Sequence, residues 1–231
     1  MEIKVLHLLE GAKKASGLTV IIDVFRAFST SCYLFSRGVK SIIITDSIKE
    51  ARYLKDNNND LILVGERNGK KIKYFDFGNS PSRIIQNEFK DKNIVLTTSA
   101  GTRGIIAAKN SIEIVTASFL NADAVVNFLR DYKMRNKKIS IVAMGNNGLE
   151  KNIEDKLCAE YIYNRLKGKI LDKEKIINKI YNNKTSDRFF DKNVKSSPKK
   201  DLELCLKFNV FNFVLKIKKE NKLTYLEKTK I

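Results

Sequence analysis

The residues that could do chemistry in this sequence cluster where apolar runs end. Leu18-Thr19-Val20-Ile21-Ile22 ends in Asp23, with Arg26 just beyond. Leu61-Ile62-Leu63-Val64 ends in Gly65-Glu66-Arg67. Ile94-Val95-Leu96 ends in Thr97-Thr98-Ser99-Ala100-Gly101-Thr102-Arg103, and the run from Lys138 to Met144 ends in Gly145-Asn146-Asn147. Two carboxylates by themselves repel phosphate. Two carboxylates holding Mg2+ attract it, because that ion takes hard oxygen ligands and keeps waters for chemistry. The guanidinium of arginine is a planar fork that suits phosphate or sulfonate oxygens. Asp23 and Glu66 as metal ligands, with Arg26, Arg67 and Arg103 around the anion, predict metal-assisted hydrolysis or transfer at a small phosphorylated acid.

The segment around Thr98 is the centre of this reading. An apolar strand, a hydroxyl-rich turn and the apolar Ile105-Ile106 beyond it describe a strand running into a helix N-terminus. Free backbone N–H groups and the positive end of the helix dipole meet there, which is a ready way to hold an anion. Thr98, Ser99, Gly101 and Thr102 are its candidate binding residues. Asn79-Ser80-Pro81 adds a second helix start, with Ser as cap and Pro at the first helical position. Each turn taken singly also fits an ordinary connection: Asp23 can pair with Arg26, and Ser99 or Thr102 can simply cap a helix. The recurrence of charge at strand ends is what favours a site.

The elements that must position these residues alternate. Apolar runs at 18–23, 41–44, 61–64, 94–96, 112–117 and 138–144 read as strands, and 27–36, 48–55, 82–89, 123–132 and 154–166 read as helices. Continuous apolar runs are typical of strands buried on both faces, and the alternation argues for an α/β fold with a largely parallel sheet. Parallel strands would place all the charged turns along one edge. Residues 1–16 read as an edge strand, with His7 structural. From 167 the pattern weakens into Lys- and Asn-rich sequence, with helical stretches at 170–182 and 201–208 and a hairpin within 210–226. Residues 1–166 form the core that carries the site, and 167–231 an α+β extension packed on it or continuous with it.

Composition bounds the partners. The chain has 231 residues, 43% hydrophobic and 30% charged, enough for a full core. No apolar run reaches the roughly 20 residues of a membrane span, and no export signal opens the chain. A cytoplasmic protein is expected. Its three cysteines, Cys32, Cys158 and Cys205, are far apart and read as buried thiols. The net charge of +18 is spread along the chain and reads as a solvated surface that attracts small anions. Neither nucleic acid nor membrane is an expected partner, and a homodimer is compatible with the chain. No Gly-x-x-x-x-Gly-Lys-Ser/Thr loop or Gly-x-Gly-x-x-Gly turn is present, which argues against nucleotide or dinucleotide binding.

Five ordered blocks resemble one family. Val20-Ile21-Ile22-Asp23-Val24-Phe25-Arg26-Ala27-Phe28-Ser29-Thr30 is similar to its opening motif. Gly65-Glu66-Arg67 followed by Phe75-Asp76-Phe77-Gly78-Asn79-Ser80-Pro81 resembles its second block, and Thr97 to Arg103 its third. Ser118-Phe119-Leu120-Asn121-Ala122 matches the fourth, and Glu154-Asp155-Lys156-Leu157-Cys158-Ala159 the fifth. The family is the 2-phosphosulfolactate phosphatases. The resemblance implies a three-layer α/β/α fold with a mixed sheet and Mg2+-dependent hydrolysis of 2-phosphosulfolactate or a close phosphorylated 2-hydroxy acid, a step of coenzyme M biosynthesis. It adds Asn79, Ser80, Asn121 and Asp155 to the site candidates. Water activation falls to Asp23 or Asp155, and Arg26 and Arg103 to the charge that develops during transfer. The chain departs from the family at Ser99-Ala100, at Phe25 and Phe28, which stand where smaller residues are usual, and at Gly145 to Glu150, which lacks an arginine. These departures motivate an alternative, a non-catalytic small-anion-binding protein of the same fold.

Overall fold

Strand β2 (Gly17–Ile22) is buried along its whole length, as a run with no polar face must be when helices cover both sides of a sheet. It lies inside a ten-stranded sheet. The computed structural model describes residues 2–133 and 138–231. Along the chain β1 (Glu2–His7) leads into α1 (Leu8–Lys14), and β2 into α2 (Ala27–Ser36). Then come β3 (Ser41–Ile44), α3 (Ile48–Asn57), β4 (Ile62–Arg67), the two-residue β5 (Lys70–Lys71), α4 (Pro81–Ile84), β6 (Asn93–Thr97) and α5 (Gly101–Ala107). The second half holds β7 (Ser111–Ala117), α6 (Ala122–Lys133), β8 (Lys138–Ala143), α7 (Ile153–Leu166), α8 (Lys173–Tyr181), α9 (Lys184–Phe190), α10 (Lys199–Cys205), β9 (Phe213–Glu220) and β10 (Leu223–Lys230).

The strand order is β1-β8-β2-β7-β9-β10-β3-β6-β4-β5. Strands β1, β8, β2 and β7 pair in parallel, and so do β3, β6 and β4. Between these blocks lies the C-terminal hairpin, antiparallel to β7 on one side and to β3 on the other. Three successive antiparallel steps make the second block run opposite to the first. The charged turns therefore do not line one edge of a single parallel sheet, as uniform parallel pairing would require. They lie at the carboxyl ends of two opposed blocks. The two carboxyl ends nonetheless meet, with the Gly101 N–H beyond β6 2.9 Å from Asp23 Oδ2 at the end of β2.

The pleat sends alternate residues to two cores. Ile21, Ile42, Ile44, Leu96, Val142, Leu215 and Leu226 face one side, with Ala12 of α1, Phe28 of α2 and Ile105 of α5. On the other side Val20, Ile22, Ile141 and Val214 pack against α6 and α7, while Ile43, Leu63 and Val95 pack against α3. The result is three layers, α/β/α, with a mixed sheet. Among the described residues no helix is long and apolar enough to cross a membrane.

Some elements differ from the sequence pattern for local reasons. The helix expected over 82–89 is the single turn α4, and beyond it the Asn87 side chain donates to the Arg83 carbonyl at 2.8 Å, an alternative to continuing the helix. The apolar spacing of residues 1–16 conceals a break at Leu8, whose φ of 65° ends β1 and starts α1. Helix α9 lies in Lys- and Asn-rich sequence and is capped by Asn183, whose Oδ1 accepts from the Thr185 N–H. The hairpin turns at Asn221 and Lys222, both at positive φ, the backbone that a tight two-residue turn between twisted strands requires.

Leu226 is fully buried where β10 joins the two blocks. Leu226→Ala should lower unfolding stability by about 2–5 kcal/mol, measured by urea titration. A loss below about 1 kcal/mol would mean that the hairpin is not a structural joint.

Candidate active site

Asp23 stands at the carboxyl end of β2 and is 5% exposed. Its Oδ1 accepts the Ala27 N–H at 3.1 Å and so starts α2. Its Oδ2 accepts the Gly101 N–H at 2.9 Å, which ties the first block to the start of α5 in the second. Only glycine fits there: a Cβ on Gly101 would stand 2.8 Å from the Ala27 Cβ and 2.9 Å from Asp23 Oδ2. Glu66, at the end of β4, accepts the Ser99 N–H at 2.6 Å, the Ser99 hydroxyl at 3.0 Å and the Gly69 N–H at 2.7 Å. Ser99 Oγ in turn accepts the Asn68 N–H at 2.9 Å.

Asp23, Glu66, Ser99, Arg26 and Asn79 line one cavity of about 300 Å3, closed by Gly145 to Asn147 and by Arg188. Four of the turns read from the sequence thus meet at one place. Asn79 Oδ1 is buried with no hydrogen-bond partner among the described residues. Arg26 is buried on the cavity wall and paired with Asp201 of α10, while its Nη1 also donates to the Ser196 carbonyl at 2.8 Å. Asp201 further accepts from the Ser80 hydroxyl and the Ser82 N–H.

Other predicted site residues lie outside that lining. Thr98 and Thr102 bond to each other, the N–H of each meeting the other's hydroxyl, and fix the turn into α5. The Ser80 N–H donates to the Gly78 carbonyl, so neither it nor the Thr102 N–H is left for an anion. Asn121 accepts from the Ser118 N–H and donates to the Thr116 carbonyl, closing its own turn. Asp155 accepts the Val24 N–H at 2.7 Å and the Gly145 N–H at 2.8 Å, tying the turns after β2 and β8 together. Arg67 donates to the Glu66 and Asp46 carbonyls and to Thr97 Oγ1. Arg103 donates to the Ser99 and Asn147 carbonyls and borders a separate cavity with Asp46 and Lys13. These two arginines brace the loops around Glu66 and Ser99.

Sequence reasoning missed Arg188, Asp201 and Glu154. Arg188 and Asp201 come from the Lys-rich C-terminal segment, where only the first-turn position of Asp201 in a helix carried a signal. Glu154 neighbours Asp155 and is fully buried, with both carboxyl oxygens lacking partners.

The electrostatics follow from crowding. Burial, then Asp155 and Glu66 nearby, push the Asp23 carboxyl up from 3.8 to about 8. Burial and Asp155 push Glu154 up from 4.5 to about 8. Burial raises Asp155 from 3.8 to about 6 against the hydrogen bonds that favour its charge. The three thiols are buried and pushed far up, so none is a ready nucleophile. Among the described residues no group of three or more His, Cys, Asp or Glu side chains is arranged to hold a metal. What the cavity offers is the pair Asp23 and Glu66, and that fits Mg2+, which commonly takes one or two carboxylates and fills its shell with water and phosphate oxygens.

The 2-phosphosulpholactate phosphatase family description matches residues 5–220. The chain belongs to that family. A 2-phosphosulpholactate phosphatase is a phosphoric monoester hydrolase, and the match runs through α8 to α10 into β9, so it includes Arg188 and Asp201. A protein named "Probable 2-phosphosulfolactate phosphatase" from Bacillus subtilis (strain 168) is 29% identical over 214 residues, 92% of this chain and 92% of its own. One of the same name from Thermoplasma volcanium is 30% identical over 211 residues, 90% of this chain and 94% of its own. Another from Thermotoga petrophila is 41% identical over 148 residues, 64% of this chain and 62% of its own.

These raised carboxyls set a sign for stability against pH. The folded protein binds their protons more tightly than the unfolded chain. Their contribution is therefore fully present below the unfolded values near 4 and is lost as pH rises toward 8. In EDTA the urea midpoint should fall between pH 5 and pH 8, and Asp23→Asn should flatten that fall. A midpoint that rises over this interval would contradict the crowding.

Proposed function

We propose that this protein hydrolyses 2-phosphosulfolactate, or a close phosphorylated 2-hydroxy acid, to the hydroxy acid and phosphate with Mg2+ as cofactor. The observation that carries the reading is the convergence of Asp23 and Glu66 on one cavity that Arg26 and Arg188 also line. Family membership supports the reaction class.

Asp23 and Glu66 would hold the ion. Bound Mg2+ supplies positive charge to the phosphoryl oxygens and a place for water beside them. The rest is done by the chain. Asp23, whose carboxylate would be ionised beside the bound ion, takes the proton of the attacking water. The phosphorus–oxygen ester bond breaks, and that proton passes to the leaving oxygen. Arg26, fixed by Asp201, faces the anion from the wall. Asn79 and Ser99 offer polar contacts, and the Asp155 bonds to Val24 and Gly145 keep Asp23 in place. Burial of the pair in a cavity walled by loops strengthens each charge interaction relative to bulk water. The chain's positive charge draws the substrate in.

Phosphate release from 2-phosphosulfolactate should require Mg2+, stop in EDTA, and exceed release from 2-phospholactate and phosphoglycolate. Asp23→Asn should lower kcat by at least about 100-fold while circular dichroism stays native. Full activity in Asp23→Asn would overturn the assignment. Binding of sulfolactate with no release from any of the three esters would mean a non-catalytic anion-binding protein.

A further inference from the structure

Arg26 and Arg188 both face the cavity, but their surroundings differ. The charge of Arg26 is answered by the buried Asp201. Among the described residues Arg188 has no such partner, and its Nε is buried without an acceptor. Its own burial, with Arg26 nearby, lowers its hold on its proton against the nearby acids Glu154 and Asp23. A buried guanidinium nitrogen that no acceptor meets is costly to the fold. An arrangement of that kind is sustained where a ligand supplies the missing acceptors.

The side chain is nonetheless held in place. It projects from α9, with its guanidinium carbon 4.9 Å from the Phe189 ring centre and 5.9 Å from that of Phe25. The two rings stack edge to face at 5.0 Å. Cation–π contact holds the guanidinium against the rings, and among the described residues no acceptor meets its Nε. Phe25 lies in the turn between Asp23 and α2, and it is one of the positions where this chain departs from the family motif. The larger ring is what reaches α9. Arg188 lies within electrostatic reach of Asp23 and Glu154 and lines the same cavity as Asp23. The guanidinium therefore shares the cavity with Asp23, beside which the reacting phosphoryl group would sit.

We propose that Arg188 binds the phosphoryl oxygens of the substrate directly, presented by the Phe25–Phe189 shelf, while Arg26 is held by Asp201. This rests on the function proposed above for the identity of the substrate, but binding of the anion can be measured without turnover. The competing role, a structural counter-charge for Glu154, predicts an effect on stability and none on anion affinity.

The test is calorimetric titration with inorganic phosphate in the presence of Mg2+, for the wild type, Arg188→Lys and Arg188→Met. Charge-assisted hydrogen bonds of this kind correspond to roughly 10- to 100-fold in affinity. Arg188→Met should weaken phosphate binding by that factor and lower kcat more than it raises KM. Arg188→Lys, which keeps the charge and loses the fork, should fall between. Unchanged phosphate affinity in Arg188→Met would overturn the proposal, and so would a wild type that does not bind phosphate. If the methionine variant fails to fold, the lysine variant decides: affinity equal to wild type overturns the proposal, and a several-fold loss supports it. Arginine-dependent phosphate binding without ester hydrolysis would sink the proposed function alone. Normal hydrolysis with Arg188-independent phosphate binding would sink only the role of Arg188.

Discussion

The hydrogen bond from the Gly101 N–H to Asp23 Oδ2 is the contact on which the rest of the site depends. It joins two parallel blocks that run in opposite directions and are separated in the sheet by the C-terminal hairpin. Asp23 can make it because nothing larger than hydrogen stands on Gly101. The price is a buried carboxyl with two other acids close by. Asp155 and Glu66 both raise its hold on a proton, and among the described residues no cation is paired with it. A fold that gathers acids at the meeting of two sheet edges suits the cation of the proposed function.

The loops around that point are fixed by their own polar groups. Glu66 gathers Ser99 and Gly69, Asp155 gathers Val24 and Gly145, and Asp201 gathers Arg26, Ser80 and Ser82. Each carboxylate organises backbone from a different part of the chain, over separations from 3 to 175 residues. Such networks are rigid when their bonds are met. They leave unpartnered polar atoms at Asn79, Glu154 and Arg188, and two of those three residues border the cavity.

Much of this was legible in the sequence, and the rest was hidden for physical reasons. Apolar runs ending in charge located Asp23, Glu66 and Ser99, because a buried strand must surface somewhere and its last residues are set by its length. The same signal placed the helices α2, α6 and α7 to within a residue or so. Sheet direction was not legible. It depends on where residues 213–230 insert, and pairing partners so distant leave no local trace. Nor does an arginine announce its acceptor. Arg67 and Arg103 have the right type and position, yet both Arg67 terminal nitrogens and Arg103 Nη1 donate to neighbouring loops. Arg188 sits in a segment whose Lys- and Asn-rich composition masks the short helix that aims it at the site.

The central claim is that the crowded carboxyls are poised for a divalent cation. It is tested most directly by titrating Mg2+ into the protein at pH 7 in two buffers of different ionisation enthalpy. The account predicts that binding releases protons, because Asp23 must give up the proton that burial and its neighbours make it hold. It also predicts that Asp23→Asn loses both the affinity and the release. Binding of Mg2+ with no proton release, or equal affinity in Asp23→Asn, would contradict it.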